Sequence, residues 1–341
     1  MEQNLLHQGK LLDENGNLTE SGYHYRLVKE YSRDDIKASK MRIKEWDYYY
    51  IGNNKKGFSF TIADNSYLDL CSITVLDFEK KTYYENSRMH FFSNGKRNLP
   101  SSSEEGITDY EDKRVNLTFS SFGNKRYIRG EFKKYVNNMD LEVNLELSRT
   151  NDSSMVIATP FKKKKHFYYN QKINCLRASG TVRLGKEKFQ IDDSFLGVLD
   201  WGRGVWTYKN TWYWSSLQSY VGNDIIGFNL GYGFGDTSKA TENMLFVNND
   251  IYKIQNVVFN IPKDEKGRDD YLKPWTITSD DSIIDLKFKP IINRHKDSNI
   301  LIIRSNQNQV FGLFSGYVKA GDKIIRLEDK LGFAEKVYNR W

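Results

Sequence analysis

Cysteine and histidine are both scarce in this sequence of 341 residues. The two cysteines, Cys71 and Cys175, lie in segments where apolar residues alternate with polar ones. Two isolated cysteines in such segments indicate small buried side chains and exclude a disulfide framework. The five histidines are scattered and show no metal-ligand spacing such as H-x-x-x-H, so no metal site is predicted.

Long apolar runs are absent as well. Residues 1–10 lack the apolar core flanked by positive charge that is typical of a signal peptide. No apolar run elsewhere reaches the length that a membrane-spanning helix needs. These absences predict a soluble, cytoplasmic protein without an integral membrane segment.

Two glycine-rich segments only superficially resemble functional motifs. GYGFG at residues 231–235 lies inside an alternating strand pattern, and no helix follows it as a phosphate-binding loop requires. GLFSG at residues 312–316 does not place Ser315 in the middle of a nucleophile elbow. Neither motif indicates nucleotide binding or a serine nucleophile, and no cofactor is predicted.

The sequence is basic, with a net charge of +7. Such a balance is compatible with a nucleic acid or an anionic surface as partner. Acidic residues are, however, spread through the same segments as the lysines, and only Lys162–Lys165 forms a basic run. We interpret this run as a solvated loop and predict no nucleic-acid partner.

Short segments of alternating polarity, joined by turn residues, run through most of the chain and predict β-strands. One helix is predicted within residues 32–46, because Ser32 and Asp35 have the spacing of a capping box. The polar segment at residues 100–112 is predicted to be a mobile surface loop. Strands do not alternate with helical segments, and they are too many for one small barrel. The sequence therefore predicts an all-β fold of two antiparallel units.

The densest set of tryptophans and glycines lies in residues 199–243. Residues 210–221 and 224–234 alternate, and Gly222-Asn223 separates them. Two residues of this type predict a tight hairpin with a type II′ turn, which fixes the register of the two strands. The resulting pairs on one face are Val221–Asp224, Ser219–Ile226, Leu217–Phe228, Ser215–Leu230 and Tyr213–Tyr232. The pairs on the other face are Tyr220–Ile225, Gln218–Gly227, Ser216–Asn229, Trp214–Gly231 and Trp212–Gly233.

The face that carries Trp212 and Trp214 has two interpretations. The indoles can simply fill the space above the glycines opposite them. Alternatively, the face contacts a ligand, since Gln218 and Asn229 lie in line with the indoles and a binding pocket typically combines aromatic walls with a few polar groups.

Several charged residues are candidates for chemistry. Asp200 and Arg203 flank a Trp-Gly pair, and they can form a structural clamp with two parallel hydrogen bonds. Asp200 can instead act as a general acid whose pKa is raised by aromatic surroundings. Asp236 and Glu242 follow the glycine-rich strand, where both turn roles and functional roles are common.

Near the C-terminus, Glu335 and Arg340 are predicted to form a structural ion pair.

Motifs in a characteristic order resemble those of a known clan. They are GTVRL at residues 180–184, DWGRG at 200–204, TEN at 241–243 and FGLFSG at 311–316. The set resembles the clan of AttH-like proteins and carotenoid 1,2-hydratases, and it looks most like domain-of-unknown-function family 2804 over nearly the whole chain. The resemblance implies two tandem lipocalin-like barrels. In the hydratase relatives a histidine follows the aspartate, whereas Trp201 directly follows Asp200 here, so a proton-transfer role of that histidine does not carry over.

We therefore predict two lipocalin-like domains, at residues 1–198 and 199–341, that bind a small apolar or amphipathic molecule. The binding residues would be Trp201, Arg203, Trp212, Trp214, Gln218 and Asn229. The alternative is a hydratase or isomerase that acts on a polyene or prenyl-like substrate, with Asp200, Asp236 or Glu242 as the proton donor. A basic interaction module without a pocket is a third interpretation. An unpaired carboxylate in an apolar pocket would favour the enzyme.

Overall fold

The computed structural model describes residues 2–300 and 303–340. Within this part, strands dominate, and the helical structure consists of two 3₁₀ turns, Arg33–Asp35 and Lys40–Arg42. The all-β prediction is confirmed. No helix in the described ranges is long and apolar enough to cross a membrane. Leu301 and Ile302, which belong to a segment with a strand pattern at residues 300–304, lie outside the described residues.

The first of two large antiparallel sheets has thirteen strands. Beside it, two short strands near the N-terminus, β1 (Gly9–Lys10) and β3 (Lys29–Glu30), pair in parallel. The strands of the first sheet are β2 (Gly22–His24), β4 (Ile43–Gly52), β5 (Lys56–Asp64), β6 (Leu68–Asp77), β7 (Thr82–Phe91), β8 (Glu105–Glu111), β9 (Val115–Phe122), β10 (Lys125–Val136), β11 (Met139–Ser148), β12 (Met155–Pro160), β13 (Phe167–Leu184), β14 (Glu187–Ile191) and β15 (Leu196–Val205). The main path runs β7-β6-β5-β4-β15-β13-β11-β10-β9-β8, so β4, β15 and β13 lie side by side in its middle.

The second sheet has nine strands. They are β16 (Lys209–Val221), β17 (Asp224–Tyr232), β18 (Met244–Val247), β19 (Asp250–Lys253), β20 (Val257–Asn260), β21 (Trp275–Ser279), β22 (Ile284–Ile300), β23 (Ile303–Ala320) and β24 (Lys323–Arg340). Their order is β19-β18-β17-β16-β24-β23-β22-β21-β20. The chain passes from one sheet to the other between Val205 and Lys209. The domain boundary predicted between residues 198 and 199 falls inside β15, and the division into domains stays a prediction.

Two local predictions are wrong. The segment 32–46 forms no α-helix: Ser32 caps a 3₁₀ turn by accepting from the Asp34 amide, and β4 begins at Ile43. Its apolar residues are too few to bury one face of a helix, whereas the strand is buried along nearly its whole length. The segment 100–112 is not an irregular loop, because it contains β8, whose Thr108 and Tyr110 are buried.

The central hairpin forms with the predicted register over nine pairs, and the predicted pair Trp212–Gly233 lies beyond the end of β17. Val221 pairs with Asp224 across the Gly222-Asn223 turn, and Trp214 pairs with Gly231. The apolar face, with Leu217, Phe228 and Leu230, lies in the core of the second sheet.

The other face of the hairpin packs against the first sheet. Trp214 belongs to a buried cluster with Tyr48 and Tyr50 of β4 and Val198 of β15. Every residue of β15 is buried, because one face of this strand lies in the first core and the other contacts the second sheet. The face with the two tryptophans is therefore the contact surface between the sheets.

Candidate functional site

The surface between the sheets encloses a group of four charged residues, Lys172, Asp200, Glu242 and Glu335, which we call the charged centre. Lys172 pairs in register with Asp200 across β13 and β15. On the second sheet, Glu335 pairs in register with Trp214 across β24 and β16. The four residues are only 3–8% exposed, yet all of them retain some accessible surface. The charged centre is thus buried between sheets without being sealed completely.

Lys172 and Asp200 form an ion pair inside the contact surface. The Lys172 Nζ lies 2.8 Å from Asp200 Oδ1. Asn170 Nδ2 donates to the same carboxylate oxygen over 2.7 Å. The Lys172 ammonium also lies 4.0 Å from the ring centroid of Trp214, a cation–π contact between the two sheets. Each charge of this pair therefore has more than one partner.

The predicted clamp between Asp200 and Arg203 does not form. Residues three apart on a strand lie on opposite faces, so Arg203 faces the first core while Asp200 faces the second sheet. Arg203 is fully buried and pairs with Asp47 over 3.0 Å. Its guanidinium also donates to the carbonyl oxygens of Trp46 and Pro100. The prediction was wrong because it ignored the two-residue period of the strand.

Trp201, a second predicted binding residue, lies on the same face as Arg203. The Arg203 guanidinium lies 4.4 Å from the Trp201 ring centroid, and Trp201 is 1% exposed. A cavity of about 10 Å³ borders Trp201 and Asp47, which is room for about one water molecule. Trp201 and Arg203 are therefore part of the first core and do not contact the charged centre.

Glu335 is a carboxyl of the charged centre that we predicted only as a structural ion-pair partner of Arg340. The ion pair does not form, because residues five apart lie on opposite faces of β24. Glu335 Oε1 instead accepts from Trp212 Nε1 over 2.9 Å, and Oε2 accepts from Gln309 Nε2 over 3.2 Å. Burial raises the pKa of Glu335 from its ordinary value of 4.5 to about 7, although the Trp212 hydrogen bond and the Lys172 charge oppose this shift.

Glu242 is the second carboxyl with a raised pKa. Burial is the main cause, the charge of Asp200 adds to it, and the charge of Lys172 opposes it. Among the described residues, no cation forms an ion pair with Glu242 or Glu335. The charged centre therefore combines one ion pair with two carboxyls whose pKa values burial raises above their ordinary value.

Glycines on β17 accommodate groups that the sequence did not reveal. A Cβ at Gly231 would lie 2.6 Å from Glu242 Oε1, so the missing side chain leaves room for this carboxyl. A Cβ at Gly227 would overlap the sulfur of Cys175. Cys175 reaches this position from a bulge in β13, where its φ is +60°. The volume above these glycines is thus filled by Glu242 and by the first sheet.

We expect Gly227→Ala to destabilise the protein by about 1–3 kcal/mol, because the added methyl group overpacks against Cys175. The measurement is urea unfolding of the single variants and of the double variant Gly227→Ala/Cys175→Ala. Removing the sulfur should relieve the clash, so the cost of Gly227→Ala should be smaller in the Cys175→Ala background. An equal cost in both backgrounds would contradict this contact.

The polar residues predicted to need a ligand have protein partners. Asn229 Oδ1 accepts from Trp214 Nε1 over 2.7 Å, and Asn229 Nδ2 donates to the Glu242 carbonyl oxygen over 2.7 Å. Gln218 Nε2 donates to Ser216 Oγ over 2.7 Å. These bonds pair both ends of the Asn229 amide and the nitrogen of the Gln218 amide within the protein. Through Asn229 they also fix Trp214 relative to the backbone of Glu242.

Asp236 lies apart from this group on an exposed turn. Its carboxylate accepts from the Ser238 amide, and this hydrogen bond lowers the pKa of Asp236. Of the three predicted proton donors, the structure therefore brings Asp200 and Glu242 together and leaves Asp236 at the surface. Glu335 joins them, and the signal that could have found it is an acidic residue inside the apolar, alternating segment 331–337.

A cavity of about 250 Å³ lies at the other end of the same contact surface. Among the predicted ligand-binding residues, Gln218 borders it. Its full lining is Tyr50, Gly52, Asn53, Asn54, Ser194, Gln218, Ser219, Tyr220, Lys330 and Leu331. The cavity thus lies between turns of the first sheet and strands β16 and β24 of the second.

The two curled antiparallel sheets define an all-β protein of the tandem lipocalin-like class. The fold resembles the crystal structure of a protein described as AttH from Nitrosomonas europaea, with a TM-score of 0.52, 10% identity, and coverage of 90% of this chain and 96% of that one. The chain belongs to the DUF2804 family, a domain of unknown function, whose family model matches residues 2–341.

Two further crystal structures are similar at lower TM-scores. Kievitone hydratase from Nectria haematococca gives a TM-score of 0.48 at 12% identity, with coverage of 87% of this chain and 88% of that one. The structure of CghA with Sch210972 gives a TM-score of 0.44 at 8% identity, with coverage of 98% of this chain and 97% of that one. Among curated proteins, no significant match to the sequence was found.

Proposed function

We propose that the protein is an enzyme that transfers a proton to or from a small amphipathic molecule at the charged centre. The reaction class is hydration or double-bond isomerisation. The observation that carries the proposal is Glu335, a buried carboxyl without an ion-pair partner in the described part of the chain. Burial raises the pKa of this carboxyl to about 7, which suits a general acid or base at neutral pH.

The surroundings of Glu335 support this role. Trp212 and Gln309 orient its two oxygens, so the carboxyl is held in place rather than mobile. Lys172 and Asp200 supply fixed charges beside it, which can stabilise charge that develops on a substrate. The rings of Trp214, Tyr48 and Tyr168 lie around the charged centre and make its surroundings largely apolar.

Two carboxyls suffice for a balanced hydration. One carboxyl donates its proton to one carbon of a polarised double bond. The other, as carboxylate, accepts a proton from the water whose oxygen forms a bond to the second carbon. The net change is the addition of one water molecule, and no further reactant is needed. Glu335 and Glu242 are the residues that we assign to these two roles.

The test measures turnover of β-ionone and geraniol in deuterium oxide, followed by mass spectrometry of incorporated deuterium and added water. We expect Glu335→Gln to lower the rate by a factor of about 10²–10⁴, the usual contribution of a general acid or base. Glu328→Gln, which changes an exposed residue of the same strand, is the control and should leave the rate unchanged. Turnover that survives Glu335→Gln unchanged would contradict the assignment.

Binding without chemistry is the second candidate, and the cavity of about 250 Å³ favours it. A carrier would release its ligand unchanged, and Glu335→Gln would not alter the affinity. Comparing the composition of ligand before and after incubation with the protein separates a carrier from an enzyme.

A further inference from the structure

We propose that the cavity bordered by Tyr50, Gln218 and Lys330 binds a small carboxylic acid with an apolar body. Lys330 and the Tyr50 hydroxyl would hold the carboxylate. This inference does not depend on proton transfer at Glu335, because it concerns a different group of side chains at the other end of the contact surface.

The Tyr50 hydroxyl is a buried polar group with an unmet hydrogen-bonding requirement. Tyr50 is 4% exposed, and its hydroxyl has no hydrogen-bond partner within residues 2–300 and 303–340. A buried hydroxyl without a partner is unfavourable. Burial also raises the pKa of Tyr50, so the hydroxyl stays protonated and available as a donor. A ligand acceptor in the cavity would satisfy it.

Lys330 supplies a positive charge at the same cavity. It is half-buried on β24, and it forms no ion pair or hydrogen bond with the described residues. The Arg177 guanidinium lies close by, since its Nη1 is 3.4 Å from the hydroxyl of Tyr220, which also lines the cavity. The cationic groups favour an anionic ligand, and a carboxylate can accept from both an ammonium and a hydroxyl.

Gln218, Asn53 and Ser194, which also line the cavity, have partners within the protein. Gln218 donates to Ser216 Oγ, and Asn53 Nδ2 donates to Ser194 Oγ over 2.9 Å. Ser194 Oγ in turn donates to the carboxylate of Asp192, a surface residue outside the lining, over 2.6 Å. The Asp192 carboxylate is therefore hydrogen-bonded to serine, and it forms no ion pair with Lys330.

The size and walls of the cavity restrict the body of the ligand. Pockets for drug-sized molecules typically measure about 300–1,000 Å³, so a cavity of about 250 Å³ takes a smaller molecule. Leu331 and the rings of Tyr50 and Tyr220 provide apolar surface. An acid with one aromatic ring or a branched alkyl chain meets both conditions.

The test is calorimetric titration of the full chain with 3-phenylpropionate and with its neutral analogue 3-phenylpropionamide. We expect the acid to bind and the amide to bind at least about tenfold more weakly, because the amide lacks the charge that Lys330 recognises. Lys330→Met should reduce the affinity for the acid to that for the amide. Tyr50→Phe removes only the hydroxyl and should also weaken binding of the acid.

Two control variants complete the test. Lys287→Met removes an exposed lysine of β22 outside the cavity and should leave binding unchanged. Glu335→Gln should bind the acid as the unchanged protein does, so failure of the proton-transfer role would not affect this result. Equal affinity for acid and amide, acid binding that survives Lys330→Met, or no saturable binding of the acid would each overturn the proposal.

Discussion

Replacing Asp200 by asparagine is expected to lower the free energy of unfolding by about 3–5 kcal/mol, because it leaves the Lys172 ammonium buried without its ion-pair partner. Lys172 is 3% exposed, and its Nζ lies 2.8 Å from Asp200. Asparagine keeps the shape of the side chain, so the loss reports the charge and not the packing. Urea unfolding at neutral pH measures the effect.

Two further variants sharpen this test. Asp236→Asn changes an exposed aspartate and is expected to alter stability by less than about 0.5 kcal/mol. Lys172→Met in the Asp200→Asn background removes the buried ammonium that has lost its ion-pair partner, so the double variant should be more stable than Asp200→Asn alone. If Asp200→Asn unfolds like the unchanged protein, the ion pair does not contribute to the stability of the fold.

The second large effect is a pH dependence of stability that originates at Glu335. Its pKa is raised by burial from 4.5 to about 7, so the folded protein binds this proton more tightly than the unfolded chain does. The corresponding stabilisation is complete below pH 4.5 and is lost as the pH rises through about 7. A pKa shift of this size changes the free energy of unfolding by about 3 kcal/mol.

Glu335→Gln should remove this dependence, since glutamine carries no titrating proton and still offers an oxygen to Trp212. The difference in unfolding free energy between the unchanged protein and Glu335→Gln should therefore fall by about 3 kcal/mol from pH 4 to pH 8. Glu328→Gln on the same strand serves as the control and should leave the profile unchanged. Parallel profiles of the unchanged protein and Glu335→Gln would refute a raised pKa.

Comparison with Glu335→Gln also removes contributions from other groups. Burial lowers the pKa of Lys44 and of Lys253 to about 7, and the stability changes from these lysines come as the pH rises from about 7 toward 10.5. They occur equally in both proteins and cancel in the difference. The remaining effect belongs to Glu335 and to groups that respond to its charge, chiefly Lys172, Arg294 and Asp200.

Local sequence signals were sufficient for the all-β class and for the register of the central hairpin, but not for every strand, since β8 was predicted as a loop. A loop of two residues, Gly222-Asn223, fixes which residues of β16 and β17 oppose each other, and this information is contained in the turn itself. The alternation of apolar residues likewise determined which face of the hairpin joins the core of the second sheet. The order of motifs was sufficient for the family.

Partners of the functional side chains were decided only by the tertiary structure. Asp200 pairs with Lys172 because β13 and β15 are neighbours, and Glu335 meets Trp212 because β24 lies beside β16. A long stretch of chain separates β16 from β24, and β14 lies between β13 and β15 in the sequence, so no turn of two residues specifies either contact.

The two interpretations of the face with Trp212 and Trp214 left out the surface that covers it. The sequence determined that this face carries aromatic residues opposite glycines, with polar groups in line with them. The first sheet supplies the cover, with Tyr48 against Trp214 and the Cys175 sulfur above Gly227. A strand pattern records which side chains share a face, but the identity of what packs against that face depends on how two complete sheets meet.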